Sequence, residues 1–345
     1  MKQKNKLKKI LIIGPAWVGD MVMAQSLFKY LASEHTIIDV LAPAWSNPLL
    51  ARMPEVRKTI LMPLEHGQFN LKKRYQLGKS LRIDAYDECL ILPNSFKSAL
   101  IPFFAKIPKR VGWSRELRQC ILTDARKLDK KTYPLMIERF IALAYKANEP
   151  LNKPYPRPEL VVTQKGIEQA LLKQGIALTT NNIIVMCPGA EFGSSKRWPE
   201  MHYASVANQL LSQGNVIWLM GSQNDHEITT KINQQTQNRC INLAGKTSLG
   251  EAIDLMSLAS SVISNDSGLM HIAAALNKPL VAIYGSSDPS FTPPLGQKVA
   301  IMRENLPCSP CFKRICPLGH LNCLKQLAPS KVLTALTQLN EVTAK

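Results

Sequence analysis

Residues 183–199 read Ile183-Ile-Val-Met-Cys-Pro-Gly-Ala-Glu-Phe-Gly-Ser-Ser-Lys-Arg-Trp-Pro199. The opening run is apolar and β-branched without alternation, the pattern of a strand buried on both faces of a parallel sheet. It breaks into a loop of small residues and ends on cations before a proline, a residue that suits the first turn of a helix. Strand, loop and helix in that order form half of a βαβ unit, and the same pattern recurs along the chain.

Toward the amino terminus, residues 8–14 read as a first parallel strand, 21–32 as a helix and 37–41 as a second strand, with later strands at 89–92 and 110–112. The stretch Glu149-Pro-Leu-Asn-Lys-Pro-Tyr-Pro-Arg-Pro158 carries four prolines, cannot be helical and marks a linker. Beyond it the pattern restarts, with strands at 183–186, 216–220, 261–264 and 280–284 and helices at 201–211, 249–258 and 269–276. The expected fold class is α/β, two doubly wound domains at 1–155 and 156–345 facing a central cleft. The last helix is a candidate to pack back on the first domain. Ligands of such sheets sit beyond the carboxyl ends of the strands.

A chain of 345 residues, 46% hydrophobic, is long enough for two cores. No apolar run reaches the roughly 18 to 20 residues that span a bilayer. The basic start Met1-Lys-Gln-Lys-Asn-Lys-Leu-Lys-Lys9 leads only into Ile10-Leu-Ile-Ile13, shorter than a signal-peptide core. A cytoplasmic protein with reduced thiols is the expectation. The formal charge of +18 attracts polyanions. Much of it concentrates in Lys72-Lys73-Arg74, Lys79, Arg82, Lys97, Lys106, Lys109, Arg110, Arg115 and Arg118. Nucleic acid is not the expected partner: aromatic content is only 6%, and no zinc-finger or RNA-recognition motif is present.

Three loops carry the chemistry. In residues 183–199 the spacing of Gly189 and Gly193 does not fit a P-loop, and Lys196 is followed by Arg197 rather than Ser or Thr. What remains is Ser194, Ser195 and Lys196 at a strand end, the parts of a metal-free pyrophosphate seat or of an ordinary βα loop. Val262-Ile-Ser-Asn-Asp-Ser-Gly-Leu-Met-His-Ile-Ala-Ala-Ala275 turns from a strand straight into a helix, whose free amides favour an anion. There Asp266 or Ser267 reads equally as a helix cap, and His271 as a core histidine. Ile13-Gly-Pro-Ala-Trp-Val-Gly-Asp-Met-Val-Met23 lacks the dinucleotide fingerprint. It offers Asp20 as a helix cap or a proton acceptor.

Together, Gly19-Asp20, Pro188-Gly-Ala-Glu-Phe-Gly-Ser-Ser-Lys-Arg-Trp-Pro199, Asn265-Asp-Ser-Gly-Leu-Met-His-Ile-Ala-Ala-Ala-Leu-Asn-Lys-Pro279 and Phe291-Thr-Pro-Pro294 closely resemble the heptosyltransferases of glycosyltransferase family nine. The resemblance covers essentially the whole chain. It implies a GT-B architecture of two Rossmann-like domains, with inverting, metal-independent transfer of L-glycero-D-manno-heptose. The implied donor is ADP-heptose, and the implied acceptor is the first heptose of the anionic lipopolysaccharide inner core. It places the base on Asp20 and the diphosphate-binding lysine on Lys196. Donor contacts fall on Asp266, Ser267, Gly268, Leu269 and Met270, with the acid near the ribose falling best on Asp225, Glu227 competing. Lys106, Lys109 and Arg110 are the candidate acceptor contacts, and attachment to the cytoplasmic face of the inner membrane is expected to be peripheral. A family member acting on Kdo-lipid A and a GT-B-like sugar-nucleotide epimerase are the alternatives.

The reaction calls for no cofactor. Cys308, Cys311, Cys316 and Cys323, with His320 nearby, have ligand types for zinc or an iron–sulfur cluster but not the regular paired spacing. No metal is expected, and an acceptor-facing loop built on Arg303, Lys313 and Arg314, with the thiols only packing groups, is an equally fair reading of the segment.

Overall fold

The computed structural model describes residues 7–64, 67–177 and 180–343; the start of the basic segment, residues 1–6, lies outside them. The chain divides into two units, Met1–Pro158 and Glu159–Lys345, each built on a six-stranded parallel sheet. In the first unit the strands are β1 (Lys9–Ile13), β2 (Ile37–Ala42), β3 (Val56–Leu61), β4 (Glu88–Ile91), β5 (Lys109–Trp113) and β6 (Asp124–Arg126). Its helices are α1 (Val18–Ser33), α2 (Asn47–Leu50), α3 (Leu71–Ser80), α4 (Phe96–Phe104) and α5 (Met136–Ile141). The spatial order β3-β2-β1-β4-β5-β6 means that the chain winds to one edge, returns to the centre and winds to the other. The direction reverses between β1 and β4.

The second unit repeats the plan with β7 (Ile183–Cys187), β8 (Val216–Leu219), β9 (Ile241–Asn242), β10 (Ser261–Asn265), β11 (Leu280–Ile283) and β12 (Val299–Met302). Its helices are α6 (Gln164–Gln174), α7 (Glu200–Ser212), α8 (His226–Gln235), α9 (Leu249–Met256), α10 (Gly268–Ala275), α11 (Asn322–Lys325) and α12 (Pro329–Thr343). The order β12-β11-β10-β7-β8-β9 puts the reversal between β7 and β10. This bears out the doubly wound α/β expectation, and in such sheets the reversal point is where ligands bind.

Each sheet is held by apolar side chains on its covered faces. In the first unit Leu11, Ile13, Leu41, Cys89 and Ile91 meet Leu100 and Ile101 of α4. In the second, Ile184, Met186, Ile217, Ile263 and Val281 meet Tyr203 and Val206 of α7 and Val332 and Leu336 of α12. Each such side chain contributes about 1.5–3 kcal/mol by burial. Helix α12 packs on α7, β11 and β12 of its own unit.

Two cations counted toward a basic surface are internal. Arg118, fully buried, donates to the carbonyls of Trp113 (2.8 Å) and Pro93 (2.5 Å). Burial pushes its guanidinium down to about 10. Arg74 donates to the carbonyls of Phe69, Lys97 and Gln68 at 2.5, 3.0 and 2.8 Å. These arginines close loops instead of facing solvent.

Candidate functional site

In the second unit, β7 and β10 lie side by side at the reversal point, so the loops after them are neighbours. The buried side chain of Asn265, at the end of β10, ties them together. Its amide nitrogen donates to Pro188 O (2.6 Å), and its oxygen accepts from Trp198 N (3.2 Å) and the Tyr203 hydroxyl (3.1 Å). A sequence reading lists Asn265 among polar loop residues; here it is the peg that sets the loop geometry.

On this frame Lys196 Nζ donates to Asp266 Oδ2 at 2.5 Å, and the Ser287 hydroxyl donates to the same oxygen. The two charged side chains are 17% and 5% exposed, so the pair is largely out of water while the ammonium keeps an opening to solvent. The ammonium also stands 5.0 Å from the centroid of the Phe192 ring, a contact not anticipated from the sequence. Ser267 is the residue before α10 and makes no side-chain cap bond. The amides of Gly268, Leu269 and Met270 thus form the positive end of the helix dipole beside the lysine. His271 is buried within α10, and burial pushes it down to about 4, with the Asp266 charge opposing and Lys196 reinforcing that shift. It is neutral at ordinary pH, as a core histidine should be.

Other expected donor residues take different positions. Ser194 is exposed. Ser195 is buried, its hydroxyl 2.9 Å from that of Ser286 and donating to Lys313 O. Asp225 caps its own turn: Oδ2 accepts from the Ser222 amide (2.9 Å) and hydroxyl (2.8 Å). Its Oδ1 is buried without a hydrogen-bond partner and lies 3.9 Å from Arg197 Nη2. Gly189 makes room for this carboxylate, since a Cβ there would come within 2.2–2.4 Å of it. Glu227 faces solvent and pairs with Lys231 one turn along α8 (2.6 Å).

In the first unit Asp20 is the third residue of α1, at the carboxyl end of the central strand β1 and half-buried in the first helical turn. Lys109 and Arg110 open β5, and the register aligns Lys109 with Glu88 and Gly112 with Ile91, which in turn pairs with Ile13. Both therefore lie at the amino edge of the sheet, away from the edge that carries Asp20. Lys109 pairs with Glu88 (2.8 Å), and Arg110 donates to the carbonyls of Ile121 (2.8 Å) and Ile107 (2.5 Å). Lys106, exposed, precedes them in the same approach to β5. The structure does not bring these three to Asp20.

Cys308, Cys311, Cys316 and Cys323 line one pocket with His320, Ser195 and Ser286. The thiols are free, and among the described residues no group of three or more His, Cys, Asp or Glu is arranged to hold a metal ion. Backbone amides of Leu321, Leu318, Gly319 and His320 pull the Cys316 thiol below its ordinary range, whereas burial and the neighbouring cysteines push Cys323 up. The loop containing Lys313 and Arg314 is fastened to the β7 side. Phe312 N donates to Ser286 O (2.7 Å), Ser195 N donates to Arg314 O (3.2 Å), and the Arg314 guanidinium lies 5.5 Å from the Phe192 centroid.

Residues 74–322 match glycosyltransferase family 9 (heptosyltransferase). The lipopolysaccharide heptosyltransferase 2 of Salmonella typhimurium is 48% identical over 96% of this chain and 98% of its own length. The lipooligosaccharide heptosyltransferase 2 of Haemophilus ducreyi is 51% identical over 86% of this chain and 88% of its own. The solved structure of the ADP-heptose lipopolysaccharide heptosyltransferase II of Escherichia coli superposes with a TM-score of 0.86 at 44% identity, covering 98% of this chain and all of that one. With family match, near-full-length identity and superposition in agreement, the chain belongs to glycosyltransferase family 9, the heptosyltransferases.

Proposed function

We propose that this glycosyltransferase moves L-glycero-D-manno-heptose from ADP-heptose to the first heptose of the lipopolysaccharide inner core, with inversion at the anomeric carbon. The observation that carries the reading is the Lys196–Asp266 pair beside the amino terminus of α10. It supports a diphosphate seat made of one partly open ammonium and first-turn amides, which stabilises the leaving ADP electrostatically without a metal. Inversion is a single displacement. The acceptor hydroxyl attacks the anomeric carbon as the bond to the diphosphate oxygen breaks, and the hydroxyl proton passes to a base. Asp20 is that base in this reading, supported by its position at the carboxyl end of β1. The relatives at about half identity carry the type 2 designation, which favours a heptose-bearing acceptor over bare Kdo-lipid A. The acceptor being a membrane lipid, the enzyme works as a peripheral protein at the cytoplasmic face of the inner membrane.

The test is a transfer assay with ADP-heptose and acceptors bearing zero, one or two heptoses. Transfer to the single-heptose acceptor alone is the expected result. Preference for the heptose-free acceptor would make this a first-heptose enzyme, and donor consumption without any acceptor would overturn the transferase reading.

A further inference from the structure

The first unit carries an exposed apolar patch that the reaction does not use. Helix α3 is seated on α4 by Gly78, where a Cβ would lie 2.6 Å from Phe104 Cβ and 2.7 Å from Ile101 O. Gly78 and the buried Arg74 mark the inner side of α3. On the flank of α3 next to that seat, Leu71 and Tyr75, one turn apart, are 48% and 44% exposed, and Lys72, Lys73 and Lys79 lie on the outward side. Phe69, just before the helix, is 52% exposed, and Phe103, at the end of α4, is 42% exposed. The rings are contiguous: Tyr75 meets Phe104 edge-on at 5.3 Å, Phe104 meets Phe103 at 5.6 Å, and Arg110 covers Phe103 at 5.7 Å. Scattered exposed apolar residues are ordinary, but a contiguous group points to a partner.

The surrounding charge is predominantly positive, with Glu116 at the start of α4 and Glu88 against Lys109 as nearby acids. Residues 67–83 and 89–115, the two segments that contain α3 and α4, each hold five Lys or Arg and no Asp or Glu. Of these, Lys72, Lys73, Lys79, Arg82, Lys106, Lys109 and Arg115 are exposed. Arg82 is tied to the patch through a bond from its Nε to Phe104 O (2.9 Å). A second copy of the chain docking through the same face would set these cations against one another. Aromatic rings for the headgroup region ringed by lysines for acidic lipid are instead the features of an interfacial membrane surface.

We infer that the exposed flank of α3 with the end of α4 is the surface by which the enzyme docks on an anionic lipid bilayer, Phe69, Leu71, Tyr75 and Phe103 entering the headgroup layer and the lysines pairing with acidic headgroups. This rests on the peripheral attachment proposed above and names the face that performs it. The full chain should sediment with vesicles containing phosphatidylglycerol and not with pure phosphatidylcholine vesicles, and added salt should weaken the binding.

Two triple variants, Phe69→Ser/Tyr75→Ser/Phe103→Ser and Lys72→Gln/Lys73→Gln/Lys79→Gln, should each bind the acidic vesicles at least about tenfold more weakly, the first by losing the apolar side chains that insert and the second by losing three surface cations. ADP binding and turnover of a lipid-free core oligosaccharide should stay at wild-type values. In Phe103→Trp, which preserves an aromatic side chain, the added emission should shift to the blue on acidic vesicles only. Wild-type vesicle binding by both triple variants would overturn the assignment while leaving peripheral attachment standing. No vesicle binding by the wild-type chain would overturn both. A wild-type dimer in lipid-free light scattering that the serine variant abolishes would make the face a contact between copies. Loss of heptose transfer with vesicle binding intact would strike the catalytic reading alone.

Discussion

Replacing Lys196 by methionine removes the ammonium while keeping an unbranched side chain of similar length. Two effects follow, and the structure separates them. In the free protein, Asp266 loses the cation at 2.5 Å and keeps only the Ser287 hydroxyl on that oxygen, in a side chain 5% exposed. Removing one partner of a buried pair typically costs about 3–5 kcal/mol. The lysine side chain is 17% exposed, so water can reach the remaining carboxylate and the lower end of that range applies. In the ADP complex, the lost charged hydrogen bond weakens binding by about 1.5–3 kcal/mol, or about 10- to 150-fold in Kd. The double variant Lys196→Met/Asp266→Asn removes the stranded charge as well. Its thermal stability should recover most of what the single variant loses, while its ADP affinity stays weak. Calorimetry with ADP and adenosine completes the test, because adenosine carries no diphosphate and should bind both variants as it binds the wild type. Wild-type ADP affinity in a folded Lys196→Met protein would remove the lysine from the donor seat. Equal losses for adenosine and ADP would point to a collapsed loop rather than a missing charge.

Asp20→Asn should slow heptose transfer by at least about a hundredfold with ADP binding and melting temperature near normal, since a general base contributes about 10²–10⁴ in rate and a first-turn carboxylate only about 0.3–1 kcal/mol of helix stability; transfer near the wild-type rate would move the base elsewhere. Gly189→Ala drives a methyl into the Asp225 carboxylate and should cost about 1–3 kcal/mol in chemical denaturation. Asp225→Ala in the same chain should return part of that loss, and a Gly189→Ala protein of unchanged stability would refute the packing argument. The amide-stabilised Cys316 thiol is deprotonated at lower pH than an ordinary cysteine, and Cys323 only at higher pH. Alkylation by iodoacetamide, followed by mass spectrometry from pH 6 upward, should therefore label Cys316 first. Labelling of Cys323 ahead of it would contradict the assignment.

The fold was legible in the central strands and mostly silent at the edges. Strands β1, β2, β4 and β5 of the first sheet and β7, β8, β10 and β11 of the second read as apolar runs because both faces are covered. Of the two outermost strands of each sheet, β3, β6 and β9 lack such a run, whereas β12, Val299-Ala-Ile-Met302, is a short apolar run that is not among the strands read from the sequence. An outer strand needs fewer buried residues: Val56–Leu61 holds Arg57, Lys58 and Thr59 and has no buried position, and Ile241–Asn242 is two residues long. Their place comes from ladder pairing with β2 and β8, a long-range property that local periodicity does not encode.

At the site, residue type was legible and engagement was not. Lys196 and Asp266 are seventy positions apart, and only the adjacency of β7 and β10 makes them an ion pair. Ser195 and Asp225 carry the right groups for a ligand but use them to fasten a loop and cap a turn, and no spacing rule distinguishes these uses. The neighbours Asn265 and Asp266 show why the chemistry is still specific. Asn265 must donate to Pro188 O at 2.6 Å while accepting from Trp198 and Tyr203, a combination that an amide satisfies and an ionised carboxylate cannot, because it would set acceptor against acceptor. Asp266 must balance an ammonium, which an amide cannot do. Exchanging the two residue types would unseat the loop at one position and strand a cation at the next, so the order Asn-Asp follows from where each side chain lands once the sheet has formed.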